Sequence, residues 1–104
     1  MAVVSQALAR TAASTAETDL YTVPNSTTTT VVTDIVVTNT TTSAATFTIK
    51  LDTVSIAQGT SVPASDSVFI TLKQVLPANA TPKKIRGNAS TTGVNFHISG
   101  VEIS

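Results

Sequence analysis

The clearest pattern of apolar and polar positions runs from Thr28 to Leu51, TTTVVTDIVVTNTTTSAATFTIKL. Near its end Ala45, Phe47, Ile49 and Leu51 alternate with Thr46, Thr48 and Lys50. That period of two predicts a strand with one buried face. The segment before it carries apolar side chains on both parities. Val31, Ile35 and Val37 share one with Thr33, and Val32 and Val36 share the other with Asp34. A strand that is valine-rich on both faces predicts cover on both, one face by a core and the other by a second sheet, an arm or another subunit. The turn between the two strands, Asn39 to Ser43, is polar and lacks glycine. It predicts a loop of about four or five residues rather than a tight two-residue one.

The rest of the chain repeats weaker versions of the same pattern. Leu20 to Pro24 predicts a short strand ended by a proline that cannot donate to a ladder, with Leu20 and either Tyr21 or Val23 buried. Thr53 to Thr60 is weakly patterned, with Val54 and Ile56 as core anchors and Gly59 as a turn, and Val62 to Ala64 reads as an edge segment or connection. Ser67 to Leu76 predicts a strong strand, with Val68, Ile70 and Leu72 on one face and Phe69, Thr71 and Lys73 on the other. Phe69 then packs under an arm or lies in an interface. Pro77 stops that strand, Asn79 to Pro82 turns, and Lys83 to Gly87 predicts a short, basic, exposed strand. From Gly93 to Ile103, Val94, Phe96 and Ile98 share one parity and Val101 and Ile103 the other, which predicts a β-bulge at Ser99-Gly100. About six to eight such strands, without an amphipathic helix of useful length, predict an all-β fold, an antiparallel β-sandwich or small jelly-roll.

Residues 1–19, MAVVSQALARTAASTAETD, fit that scheme least. Val3, Val4, Ala7 and Leu8 fall near helical spacing, but the segment is too short and too poorly capped for a stable isolated helix. It predicts an extended N-terminal arm, irregular or a short helix, ahead of a β-sandwich domain at 20–104. Such a small-residue arm becomes ordered when a neighbouring subunit or a larger particle holds it.

Composition sharpens this picture. Thr and Ser fill 32 of the 104 positions and Val 13, while charged residues make up 12%. β-Branched enrichment favours strands. A surface this poor in charge suits a subunit whose exterior is occupied by neighbours, although a hydroxyl-rich solvated surface fits the same numbers. The formal net charge is zero, so nothing in the total points to nucleic acid. Residues 1–66 hold two basic and five acidic groups, residues 67–104 four and one. A head-to-tail contact would exploit that, and chance explains it equally well. Cysteine is absent, which excludes disulfides and Cys-ligated zinc. Residues 1–9 have no basic n-region and no apolar run approaches a membrane span, so a soluble protein without a secretory signal or membrane partner is expected.

Candidate chemistry is sparse. His97, the one histidine, lies between Asn95 and Ser99 on the face opposite Phe96 and Ile98, with no nucleophile or orienting carboxylate placed near it. A structural or interfacial hydrogen-bonding role is expected. The carboxylates show no paired spacing of the kind glycosidases or metal sites use. Asp34, which interrupts an apolar strand, faces solvent or pairs with Lys73 or Arg86. Lys83, Lys84 and Arg86 form a basic patch without aromatic platforms, which reads as a solvated or acidic-partner-facing edge guarded against strand pairing. No phosphate loop or nucleophile elbow is present. No enzyme activity, cofactor, metal, small-molecule substrate or nucleic-acid partner is therefore expected.

Leu20-Tyr21-Thr22-Val23-Pro24, then VVTDIVVTNTT, AATFTIKL, a strand ending in LKQVL, and finally GVNFHISGVEIS together resemble a widespread group of small tailed-phage virion proteins. The resemblance spans residues 20 to 104, and the Ala/Thr-rich lead is also typical. It implies β-sandwich modules that form trimers or other homo-oligomers on the particle, as capsid decoration or cement proteins or as parts of the head fibre, neck or tail. Where the group has a Gly-Asp turn before the penultimate strand, this chain has Ala78 to Lys84, which leaves the register of Lys83 to Arg86 open. The resemblance implies a virion structural protein, made in the host cytoplasm, that meets the major capsid protein or other virion proteins through residues 1–19. A receptor- or carbohydrate-binding module at a fibre tip is the rival reading, and it gains ground if Tyr21 and His97 are exposed in one concave site. Expected interface residues are Val3, Val4, Leu8 and Arg10 of the arm, with Tyr21, Val32, Asp34, Val36, Phe69 and His97 of the sandwich.

Overall fold

Strands with one apolar face form a core only when two sheets stack those faces together. A computed structural model, which describes residues 2–104, has that arrangement; Met1, the first residue of the expected arm, lies outside the described residues. The strands are β1 (Val3–Ala12), β2 (Thr18–Thr22), β3 (Thr29–Asn39), β4 (Ala45–Leu51), β5 (Val54–Val62), β6 (Ser67–Leu76), β7 (Lys84–Ala89) and β8 (Val94–Ile103). Sheet A has the order β1-β8-β3-β6 and sheet B the order β2-β7-β4-β5, with all pairings antiparallel. Every connection but β4–β5 crosses from one sheet to the other, the winding of an eight-stranded jelly-roll.

Alternation delivers the core as expected on β4, where Ala45, Phe47 and Ile49 are buried. Phe47 meets Phe96 of β8 edge-to-face across the sandwich, with ring centroids 6.2 Å apart. Ile35, Val37, Ile85, Val94 and Ile98 close around them without solvent exposure. The β3–β4 loop has the expected length, residues 40–44, and the buried Asn39 shapes it. Its amide donates to the carbonyls of Ser43 (2.8 Å) and Val62 (3.2 Å), and its carbonyl accepts from the Thr41 amide (2.9 Å).

Four local expectations are corrected. Residues 3–12 are strand β1 rather than an irregular or helical arm, paired along β8 from Val3↔Ile103 to Ala12↔Asn95. The unsatisfied edge of β8 has a stronger claim on this segment than its helical spacing, because tertiary pairing overrides weak local propensity. Val54 and Ile56 are exposed, and the residue of β5 that reaches the core is Val62. Gly59 lies within β5 at φ +57°, beside the register shifts against β4, rather than in a turn between strands. Lys84–Ala89 is an interior strand of sheet B, not an exposed edge.

The bulge expected at Ser99-Gly100 lies on the neighbouring strands instead. Against β8, the register shifts between Ala7 and Ala9 of β1 and between Val32 and Asp34 of β3, so Leu8 and Thr33 are the extra residues. This shift changes which side chains of β3 face inward: Thr30 and Val32 before it, Ile35, Val37 and Asn39 after it. Gly100 is where the strands crowd, since a Cβ there would strike the Val31 carbonyl and the Leu8 side chain at 2.8 Å. β8 itself keeps one inward parity through Gly100 to Glu102.

Candidate functional site

The two outer faces of the sandwich differ in chemistry. On sheet B the outward residues of β4 and β7 are Thr46, Thr48, Lys50, Lys84, Arg86 and Asn88. Lys50 pairs with Glu17 (2.8 Å), Arg86 with Glu17 (3.1 Å) and Asp19 (2.8 Å), and Lys84 with Asp19 (2.9 Å). Hydrogen bonding to Lys50 holds the Glu17 carboxyl below its ordinary range, and hydrogen bonding to Lys84 does the same for Asp19. The basic patch read from residues 83–86 is thus met within the chain, Lys83 pairing with Asp52 (3.5 Å). These pairs join acidic groups of residues 1–66 to basic groups of both halves, so the uneven charge along the chain is matched in space. A polar depression of about 590 Å³ on this side is lined by Glu17, Thr48, Lys50, Ser55, Gln58 and Asn88, with no aromatic side chain.

Sheet A presents a different outer face. Strand register sets its rows. One row runs Arg10–His97–Val36–Phe69 across β1, β8, β3 and β6. Another runs Ser5–Val101–Val31–Val75, and Val3 stands beside Ile103 at the end of the sheet. Phe69 is 73% exposed, Val3 61% and Val75 54%, while Val31, Val36, Val101 and Ile103 are half-buried. Arg10 and Asp34 have no salt-bridge partner among the described residues. Asp34 is exposed and meets neither Lys73 nor Arg86 in an ion pair.

The structure therefore brings Arg10, His97, Val36 and Phe69 into one row of this face, with Asp34 in the next and Val3 at its end. Val4 is exposed on the opposite parity of the edge strand β1. Leu8 and Val32 are corrections. Leu8 is pulled into the core by the β1 bulge, and Val32 is fully buried because it precedes the β3 bulge and still faces inward. Neither lines an outer surface of this chain.

Tyr21 is also separated from the row. From β2 its phenol spans the sandwich, hydrogen-bonding Thr30 Oγ1 (2.8 Å) and donating to Glu102 Oε2, while Glu102 Oε1 accepts from Gln6 (3.0 Å). Burial first, and then the Glu102 carboxylate, push the phenol pKa up to about 12. This polar clasp links β1, β2, β3 and β8 at one end of the sandwich. Tyr21 and His97 consequently do not share a concave site, and the arrangement that would favour a sugar-binding tip is split between the clasp and the outer face.

Residues of this face that the sequence reading did not single out are Val31, Val75, Val101 and Ile103. Their signal is apolar character on the second parity of strands that already have a buried face. Among the described residues, no group of three or more His, Asp or Glu side chains is placed to hold a metal ion, and no helix is long and apolar enough to cross a membrane.

No protein-family model and no curated protein matches the chain. Among solved structures, a chain of the infectious bursal disease virus Gx strain structure matches with TM-score 0.53 at 15% identity, covering 97% of this chain and 30% of that one. A chain of the Gt strain structure matches with TM-score 0.52 at 13% identity, covering 97% and 32%. A chain of the T13 particle of the same virus matches with TM-score 0.50 at 12% identity, covering 97% and 30%. At these identities the likeness is one of fold, and this chain spans under a third of the length of the viral chains.

Proposed function

We propose that this chain is a non-enzymatic structural protein of a tailed-phage particle, a decoration or cement protein that stabilises the capsid by contacts with its neighbours. The observation that carries the reading is the outer face of sheet A, where valines and Phe69 extend across four strands while the opposite outer face satisfies its charges internally. Exposed apolar surface on this scale marks an interaction site. The jelly-roll shared with chains of virus particles supports it, as does the resemblance of residues 20–104 to small phage virion proteins.

Mechanistically, each copy contributes stability by removing apolar area from water at about 25 cal/mol per Å². Repetition around a symmetric shell multiplies a modest contact into a large one. The protein acts as a homo-oligomer, a trimer by the resemblance, and meets the major capsid protein through β1, whose Val3 and Val4 are exposed beside the apolar face. Anchoring thus belongs to an edge strand rather than a loose arm. Removing residues 1–19 would strip β8 of one of its two partners and Leu8 from the core, so single substitutions are the appropriate probes.

The test is addition of the purified full chain to particles lacking it, followed by electron microscopy and heat challenge. Density over the head shell and raised heat resistance are expected. Density at the neck, tail or head fibre would move the protein to that position, and no density anywhere would contradict the proposal.

A further inference from the structure

We infer that the outer face of sheet A is covered by a second copy of this chain, face against face. The inference rests on the assembly reading above and names the occupant of that surface. Its first support is area. Four strands about 4.8 Å apart and about ten residues long at roughly 3.3 Å each present a face of roughly 630 Å². Two such faces bury about 1,300 Å², which falls within the roughly 1,200–2,000 Å² of stable protein interfaces.

The second support is charge. Elsewhere on the sandwich, Glu17, Asp19 and Asp52 are paired with Lys50, Lys83, Lys84 and Arg86 inside the chain. The outward positions of sheet A hold two cations, Arg10 and Lys73, and one anion, Asp34, all without an ion-pair partner among the described residues. Arg10 and Asp34 stand two strands apart, on opposite sides of β8, and are offset along it by two residues, His97 against Ser99. Within the chain they form no ion pair with each other. A face carrying unpaired charges of both signs can pair with itself: Arg10 of one copy meets Asp34 of the other, and the valines and Phe69 fill the area around them. A contact of the same face on both copies is a two-fold pair. A foreign partner would have to supply the opposite pattern, whereas a second copy already has it.

Sedimentation velocity of the full chain over a range of concentrations tests the inference. The wild type is expected at a mass of two or more chains. Phe69→Lys, Arg10→Asp and Asp34→Arg should each weaken self-association about tenfold or more, with circular dichroism and melting unchanged. An equimolar mixture of the Arg10→Asp and Asp34→Arg chains should associate again, which loss of fold in either chain would not produce. A wild type that stays a single chain throughout, or variants that associate as it does, overturns the inference. If that single chain still binds particles in a Phe69-dependent way, the proposed function stands without it; if it binds none, both fall.

Discussion

The two outer faces of this sandwich differ in how far the chain satisfies them by itself. On β4 and β7 of sheet B the outer face is finished within the chain: its cations are tied to Glu17 and Asp19, and threonines and asparagine occupy the remaining outward positions. Sheet A is left open. Its inner face buries Val32, Ile35, Val37, Phe96 and Ile98, and its outer face repeats the apolar pattern with Val31, Val36, Phe69, Val75 and Val101. A solvated sheet needs one apolar face, and the second one is the surface the proposed assembly would cover.

The sharpest way to test that contrast sets two phenylalanines of one sheet against each other. Phe96→Ala removes a fully buried ring in contact with Phe47 and should cost about 3–5 kcal/mol in denaturant unfolding. Phe69→Ala should leave stability within about 0.5 kcal/mol while weakening association. Equal stability losses would erase the distinction between the faces.

Next in size is Gly100→Ala, which drives a methyl group against the Val31 carbonyl and Leu8 where the bulges align the rows of sheet A. A loss of about 1–3 kcal/mol is expected, accompanied by weaker association because the outer rows shift with the strands. Thermal melts and sedimentation on one preparation check both.

Tyr21→Phe removes the clasp between the sheets at a cost of about 1 kcal/mol. The clasp also predicts an alkaline limb. The phenol pKa is raised to about 12 in the folded chain against an ordinary value of 10.0, so its contribution is complete below pH 10.0 and is lost as pH rises towards 12. Denaturation curves in that range should fall for the wild type and lose this component in Tyr21→Phe.

The smallest effect belongs to sheet B. The Glu17 and Asp19 carboxyls lie below their ordinary values of 4.5 and 3.8, so their stabilisation is present above those values and is lost as pH falls through the folded ones. Arg86→Ala should shallow the acid limb of the melting temperature and leave association untouched. A change in association there would transfer the interface to the wrong sheet.

Much of this architecture was legible in the chain. The alternation of β4, the apolar parity of β6 and the two-sided valines of β3 carry the sandwich, and the register joins Arg10, Val36, Phe69 and His97 in one row. What was hidden depended on contacts distant in sequence. β1 was obscured because Val3, Val4, Ala7 and Leu8 mimic helical spacing, whereas the Leu8 bulge is set by β8, at the far end of the chain. Val32 was assigned to the wrong face because Thr33 adds a residue that no local pattern announces. Lys84 and Arg86 read as an exposed edge because their acids, Glu17 and Asp19, lie at the other end of the sequence.

Hydroxyl-radical footprinting of the full chain, dilute and assembled, tests the central claim most directly because it reads both faces in one sample. Protection of Phe69, Val36 and His97 on assembly, with Lys50 and Arg86 of sheet B unchanged, is the predicted result. Equal labelling of Phe69 in both states, or protection confined to sheet B, would contradict it.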